Sequence, residues 1–285
     1  MVSVREVTKG FRKLCDNFYD AFYDNESPPE QTDAHSTYNV FARMVWHSCN
    51  LPCPFNCSLI MRLLILTLFL PFSAVAQVKV AGEMRKIMQQ ADLSASVELD
   101  TINRSKLYGI GVVEGLKGEI IILDGKCYVT SVKGGQLETG NPVKAKAAML
   151  VYQNITSWSP AQSAKEIQNL KGLETFLEDL LSRKGKSQDI PFAFILKSVK
   201  GKINYHVIDW KNGVEHNMTN HKQFAKKGEL TNAEVTILGF YSNRHQGVFT
   251  HHDTNLHLHV FTNDSKIVGH IDEIRLDQFE LVVAE

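Results

Sequence analysis

Residues 119–132 read Glu119-Ile-Ile-Ile-Leu-Asp124-Gly125-Lys-Cys-Tyr-Val-Thr-Ser-Val132. Two strand-like apolar runs flank an Asp-Gly pair, and both turn residues tolerate positive φ, the strongest short hairpin signal a sequence offers. Working outward, further strand candidates fall at Ala148–Tyr152, Glu234–Tyr241, Leu256–Phe261, Ile267–Leu276 and Phe279–Val283. Phe192–Val199 and Ile203–Trp210 flank Lys200-Gly201 and read as a second hairpin. Against these stand two helices. Glu83 to about Leu99 is polar with spaced apolar residues. Ser163 to about Ser182 sets Ile167, Leu170, Leu173, Phe176, Leu177, Leu180 and Leu181 on one face. Residues 211–232 form a polar stretch. The fold class is therefore α+β, mostly β, rather than alternating βαβ.

The 285 residues are 44% apolar and 22% charged, too hydrophobic for disorder. Lys+Arg and Asp+Glu balance at 31 each, so there is no basic excess to neutralise a phosphate backbone, and no nucleic-acid partner is expected. Five cysteines do not make a disulfide scaffold, and four of them, Cys15, Cys49, Cys53 and Cys57, precede residue 61. The Cys49-x3-Cys53-x3-Cys57 spacing fits neither paired zinc ligands nor a common iron–sulfur run.

At that boundary the chain reads Met61-Arg62, an apolar run from Leu63 to Ala76 ending Ala74-Val-Ala76, then Gln77. A methionine, a basic residue, an apolar core and an Ala-x-Ala end are the parts of a secretory signal. The run falls short of the ~20 residues a spanning helix needs. The expectation is that residues 1–60 are a non-native or disordered upstream extension, 61–76 a signal, and 77–285 the folded part. The rival reading is a single-pass anchor with a cytosolic head. Use of the signal makes the protein periplasmic or secreted, with no membrane span remaining; otherwise it is cytoplasmic. Residues 77–285 stay neutral, with 25 basic and 24 acidic residues.

Six of the eleven histidines lie between His245 and His270. In Leu256-His257-Leu-His259-Val-Phe261 the pair His257 and His259, two apart in a strand, share a face. A turn at Asn263-Asp264 leads to Gly269-His270-Ile271, and antiparallel pairing would set His270 beside them. Three converging imidazoles suit a divalent metal with one open position, zinc first, though the order of affinities also permits nickel or copper. His245, His251 and His252 are further donors upstream, or else a solvated loop. Taken alone, Glu119 reads as an ordinary strand-end acid on a solvated face.

The chain resembles the α-acetolactate decarboxylase family. The resemblance is carried by Tyr108-Gly-Ile-Gly…Leu116-Lys-Gly-Glu119…Asp124-Gly-Lys126, by Gly239-Phe-Tyr241, and by His257-Leu-His259 followed after ten residues by His270. It spans roughly Leu107 to the C-terminus. It implies two β-rich subdomains, about 77–185 and 186–285, with a metal site in the cleft between them. It also implies a zinc-dependent carbon–carbon lyase that converts 2-acetolactate to acetoin. His257, His259 and His270 would be the ligands and Glu119 the proton-donating carboxyl. The partner is then a small 2-hydroxy-3-oxo acid; a homodimer is possible. Three positions depart from the family. Val112 stands for a threonine. Asp209 stands for an arginine that should bind the substrate carboxylate, with His206 or Arg244 as possible substitutes. A second, C-terminal glutamate has no counterpart. These departures leave an alternative: a secreted metal- or small-molecule-binding protein of the same fold that has lost decarboxylase activity. A cupin-like dioxygenase, which also uses His-x-His on a strand, fits less well because the nearby glutamate is missing.

Overall fold

The Asp124-Gly125 turn is formed as expected, with φ of 47° and 80°, and it joins β4 (Glu119–Leu123) to β5 (Lys126–Lys133). A computed structural model describes residues 77–215 and 217–285. The extension 1–60, the signal-like segment 61–76 and the cysteines before residue 61 lie outside the described residues. Around the hairpin an antiparallel sheet of seven strands assembles, from β1 (Lys79–Ala81), β2 (Val97–Glu98), β3 (Leu107–Val113), β4, β5, β6 (Gln136–Gly140) and β7 (Lys146–Asn154). Its order is β1-β7-β3-β4-β5-β6, with β2 also beside β7.

The second sheet has six strands, ordered β10-β9-β11-β12-β13-β8, and is likewise antiparallel. They are β8 (Gln162–Ile167), β9 (Phe192–Ile208), β10 (Ala225–Thr231), β11 (Val235–Tyr241), β12 (Leu256–Thr262) and β13 (Val268–Val283). Because β9 also pairs with β13, the ring β9-β11-β12-β13 closes on itself. Closure removes the free edges that long antiparallel strands would otherwise expose.

Two cores result. One face of the second sheet packs Phe194, Leu196, Leu258 and Val260 against Leu173, Leu177 and Leu181 of α2 (Leu170–Arg183). On the other, Ile195, Leu238 and Phe240 join Ile110, Ile121, Met149 and Val151 of the first sheet. Ile120 and Ile122 point to the first sheet's outer face, beneath Leu99 and Leu107. Both faces of β4 are thus covered, which is why Ile120–Ile122 is a continuous apolar run rather than an alternating one. Among the described residues no helix is long and apolar enough to cross a membrane.

Three local expectations need correction. The predicted second hairpin is one 17-residue strand, β9. Ser198 (φ 52°) and Gly201 (φ 137°) kink it without reversing it, and β13 answers with shifts of register opposite them. A Cβ at Gly201 would lie 2.1 Å from the Arg275 carbonyl oxygen, so this glycine serves a close approach, not a turn. The helix expected from Ser163 starts at Leu170, where the Asn169 side chain accepts from the Gly172 N–H at 2.8 Å. Ile167, which matches the helical period, sits instead in β8 opposite Leu276. The helix predicted over 83–99 is shorter: α1 spans Met84–Gln90 and ends at left-handed Ala91. The polar stretch 211–232 holds α3 (Met218–Gln223) and the half-exposed edge strand β10.

Candidate active site

A single transverse row of directly opposed residues crosses four strands: Lys227 on β10, His206 on β9, His270 on β13 and His259 on β12. Residues directly opposite in antiparallel strands share a face. His257, two along from His259, joins that face, which looks towards the first sheet. The ligand atoms of His257, His259 and His270 all lie within 4.8 Å of one another, as the two-strand pairing requires. His257 and His259 are buried, at 3% and 0% exposure.

Two of the rings, His257 and His259, are held by backbone groups. His259 donates from Nδ1 to the Ile120 carbonyl oxygen at 2.9 Å, and its buried Nε2 has no hydrogen-bond partner. In His257 the orphaned buried atom is Nδ1, while the Phe249 backbone binds the ring. Burial, reinforced by the neighbouring imidazoles, pushes His257 and His270 well below the usual histidine range, and burial takes His259 to about 3. All three are neutral at pH 7, the form that coordinates metal. Leaving buried lone pairs unmatched costs about 1–3 kcal/mol each. A donor set of neutral imidazoles with backbone-oriented rings and orphaned nitrogens is one that a first-row divalent ion fits.

Glu119 is not on a solvated face. It is 3% exposed, points between the sheets, and sets Oε2 3.6 Å from His259 Nε2. Its Oε1 accepts from the Ile208 N–H at 3.2 Å. Burial raises its pKa to about 7, with His206 and the Ile208 N–H pulling the other way. The preceding turn is anchored to the second sheet, since the Leu116 carbonyl oxygen accepts from the Trp210 N–H at 3.0 Å and Lys117 Nζ donates to the Trp210 carbonyl oxygen.

These groups line a cavity of about 80 Å³, walled by Met84 and Met88 of α1, Val112, Leu116, Met149 and Ile208. Two wider clefts, of about 620 and 670 Å³, adjoin it. Of Asp209, at the family's arginine position, and the substitutes His206 and Arg244, only His206 lines the cavity. Its Nδ1 bonds Asp272 Oδ1 at 2.8 Å, and although burial opposes charge, Asp272 and Glu119 raise its pKa overall. Arg244 is exposed and paired with Asp189 at 2.5 Å. Asp209 is bound by Lys117 and Lys211. Sequence reasoning missed His221, which also lines the cavity, and left His251 open. His251 lines the cavity and both clefts. His245 instead bonds Ser242 Oγ through Nδ1 at 2.7 Å and stacks on Phe249, and His252 is exposed. No short-range pattern could have placed His206 and His221 there: the pairing of β9 with β13 sets His206 beside His270, and α3 brings His221 to the same cavity.

A family model described as alpha-acetolactate decarboxylase matches residues 80–285. Among solved structures, the chain is similar to alpha-acetolactate decarboxylase from Bacillus subtilis strain 168, with TM-score 0.61 and 17% identity over 73% of this chain and 85% of that one. It is similarly related to acetolactate decarboxylase from Bacillus subtilis subspecies spizizenii, with TM-score 0.61 and 16% identity over 73% and 85% of the two chains. A Staphylococcus aureus protein of unknown function, similar to alpha-acetolactate decarboxylase, gives TM-score 0.61 and 14% identity over 72% and 84%. At these identities the likeness speaks for the fold. None of the curated protein sequences compared with the chain matches it.

Proposed function

The chain belongs to the alpha-acetolactate decarboxylase family, and from that premise we propose that it decarboxylates 2-acetolactate to acetoin. In this reading His257, His259 and His270 hold a zinc or other first-row divalent ion, and Glu119 delivers the proton. When bound, such an ion supplies Lewis acidity towards the carbonyl and hydroxyl oxygens of the substrate. The observation that carries the reading is the pairing of two orphaned, buried imidazole nitrogens with a buried carboxyl whose pKa is pushed to about 7.

The bond between the hydroxyl-bearing carbon and the carboxyl carbon breaks, CO2 leaves, and the electron pair is held as an enolate. A proton passes from Glu119 to the carbon that lost CO2, and solvent restores it. Because Ile208 N–H fixes Oε1, the proton is presented from Oε2, on the side of His259. Holding the carboxyl in one orientation selects one face of that carbon. The Met84, Met88, Leu116 and Met149 side chains keep bulk water out and accept the substrate's methyl groups. His206, steadied by Asp272 and with its pKa raised by that carboxylate, is the imidazole available to the substrate carboxylate.

A specific observation favours a second reading, in which the protein binds metal or a small molecule without catalysis. Among the described residues lining the cavity none is Lys or Arg, and Val112 lines it as an apolar wall. An assay of the purified protein with 2-acetolactate, with and without added zinc, decides between them. Zinc-dependent acetoin formation above the spontaneous rate supports the decarboxylase. Stoichiometric metal with acetolactate decaying only spontaneously leaves the binding protein.

A further inference from the structure

Glu174 is an acid on a helix face otherwise given to core leucines, and it is 2% exposed. Burying a carboxylate is costly unless its oxygens are matched. Here they are, but not by the helix core. Oε1 accepts from Thr254 Oγ1 at 2.5 Å and from the Asn255 N–H at 2.7 Å, and Oε2 accepts from Lys171 Nζ at 2.7 Å. One turn on, Glu178 Oε1 accepts from Tyr241 OH at 3.0 Å and Asn255 Nδ2 at 3.4 Å. Both partners of Glu174 Oε1 belong to the loop 242–255, which joins β11 to β12. The other half of this loop is clipped to α1, where Met84 and Arg85 N–H groups donate to the Val248 and Gly247 carbonyl oxygens at 2.8 Å each. Between the two anchors hangs His251, whose carbonyl oxygen accepts from the Thr254 N–H and whose ring meets His270 edge-on at 5.4 Å. Its position bordering the inner cavity and both outer clefts makes it the mouth.

We propose that Glu174 is a positioning residue, holding the 242–255 loop so that His251 stands at the mouth of the histidine cavity and touches the small acid entering it. The proposal rests on reading that cavity as the active site. The atoms involved make a sharp distinction. Glu174→Gln keeps an acceptor at Oε1 and changes only the oxygen facing Lys171, whose side chain is 73% exposed and can turn away. Glu174→Ala strands two donors.

The test is the rate at which diethyl pyrocarbonate modifies His251, followed on its peptide by mass spectrometry in the full-length protein, with folding checked by circular dichroism. Glu174→Ala should speed modification about tenfold, since two hydrogen bonds to a carboxylate are lost, while Glu174→Gln and Lys171→Met stay within about twofold of wild type. Should Glu174→Ala fail to fold, Thr254→Val removes one of the two donors and should give about a threefold rise. An unchanged rate in Glu174→Ala or Thr254→Val, or a Glu174→Gln protein as reactive as Glu174→Ala, overturns the proposal. In turnover of acetolactate, Glu174→Ala and His251→Ala should both raise KM with kcat little altered; a fall in kcat alone would refute the contact with substrate. If wild type shows no turnover, the decarboxylase reading fails, while the modification rates still decide the role of Glu174.

Discussion

At the scale of single residues, the proposed function gives the three histidines and Glu119 different roles, so their variants should fail differently. His259→Ala removes a ring whose Nδ1 is fixed on Ile120 and whose Nε2 faces the cavity. It should lose most of about one bound divalent ion per chain, whereas exposed His252→Ala should retain it; elemental analysis of the two purified variants checks this. Glu119→Gln keeps shape and metal but cannot exchange the proton, so turnover should drop about 10²–10⁴-fold at unchanged metal content. The same substitution has a signature without substrate. The Glu119 carboxyl is raised from 4.5 to about 7, so the metal-free folded state resists its ionisation. Its stabilising effect is fully present below pH 4.5 and lost as pH rises through 7, a difference on the order of 3 kcal/mol. Urea denaturation across that window should show wild type losing ground to Glu119→Gln as pH rises. A bound dication lowers the Glu119 pKa and should flatten the difference. His259, depressed to about 3, works in the opposite sense, its contribution present above about 6.5 and lost as pH falls towards 3.

At the scale of elements, the transverse row Lys227–His206–His270–His259 depends on β9 running straight through the place where a turn was expected. Had Lys200-Gly201 reversed the chain, His206 would not stand beside His270. The continuous strand makes a testable demand. Inserting two glycines after Lys200 should be tolerated by a hairpin turn but should shift β9 against β13. The expected outcome is a loss of at least about 2 kcal/mol in urea denaturation, together with loss of metal. Gly201→Ala should be costly by itself, since its Cβ meets the Arg275 carbonyl oxygen and φ is 137°. Much at this scale was legible beforehand, because the Asp-Gly turn and the alternating runs are local signals. Residues 163–169 were misread for an equally local reason. Ile167 lies at helical spacing from Leu170, and only pairing with Leu276 on β13 makes it part of a strand.

At the scale of the whole molecule, the signal-like run at Leu63–Ala76 predicts that the protein isolated from its host begins near Gln77. N-terminal sequencing checks this, and abundant peptides from residues 1–60 in the mature protein would refute it. Within the described part, the sequence by itself determined the β-rich class, the hairpin at Asp124-Gly125, the shared face of His257 and His259, and the family. Each rests on residues close along the chain, or on a motif whose spacing survives divergence. What only the tertiary structure decided is which side chains meet across long separations. Glu119 is buried between two sheets, which sequence could not reveal because a strand-end acid looks the same exposed or enclosed. His206, and not Arg244 or Asp209, reaches the cavity because β13 pairs with β9. His251 stands at the mouth because helix α2 grips its loop through Glu174. Burial and long-range pairing are properties of packing, and no stretch of this chain carries them alone.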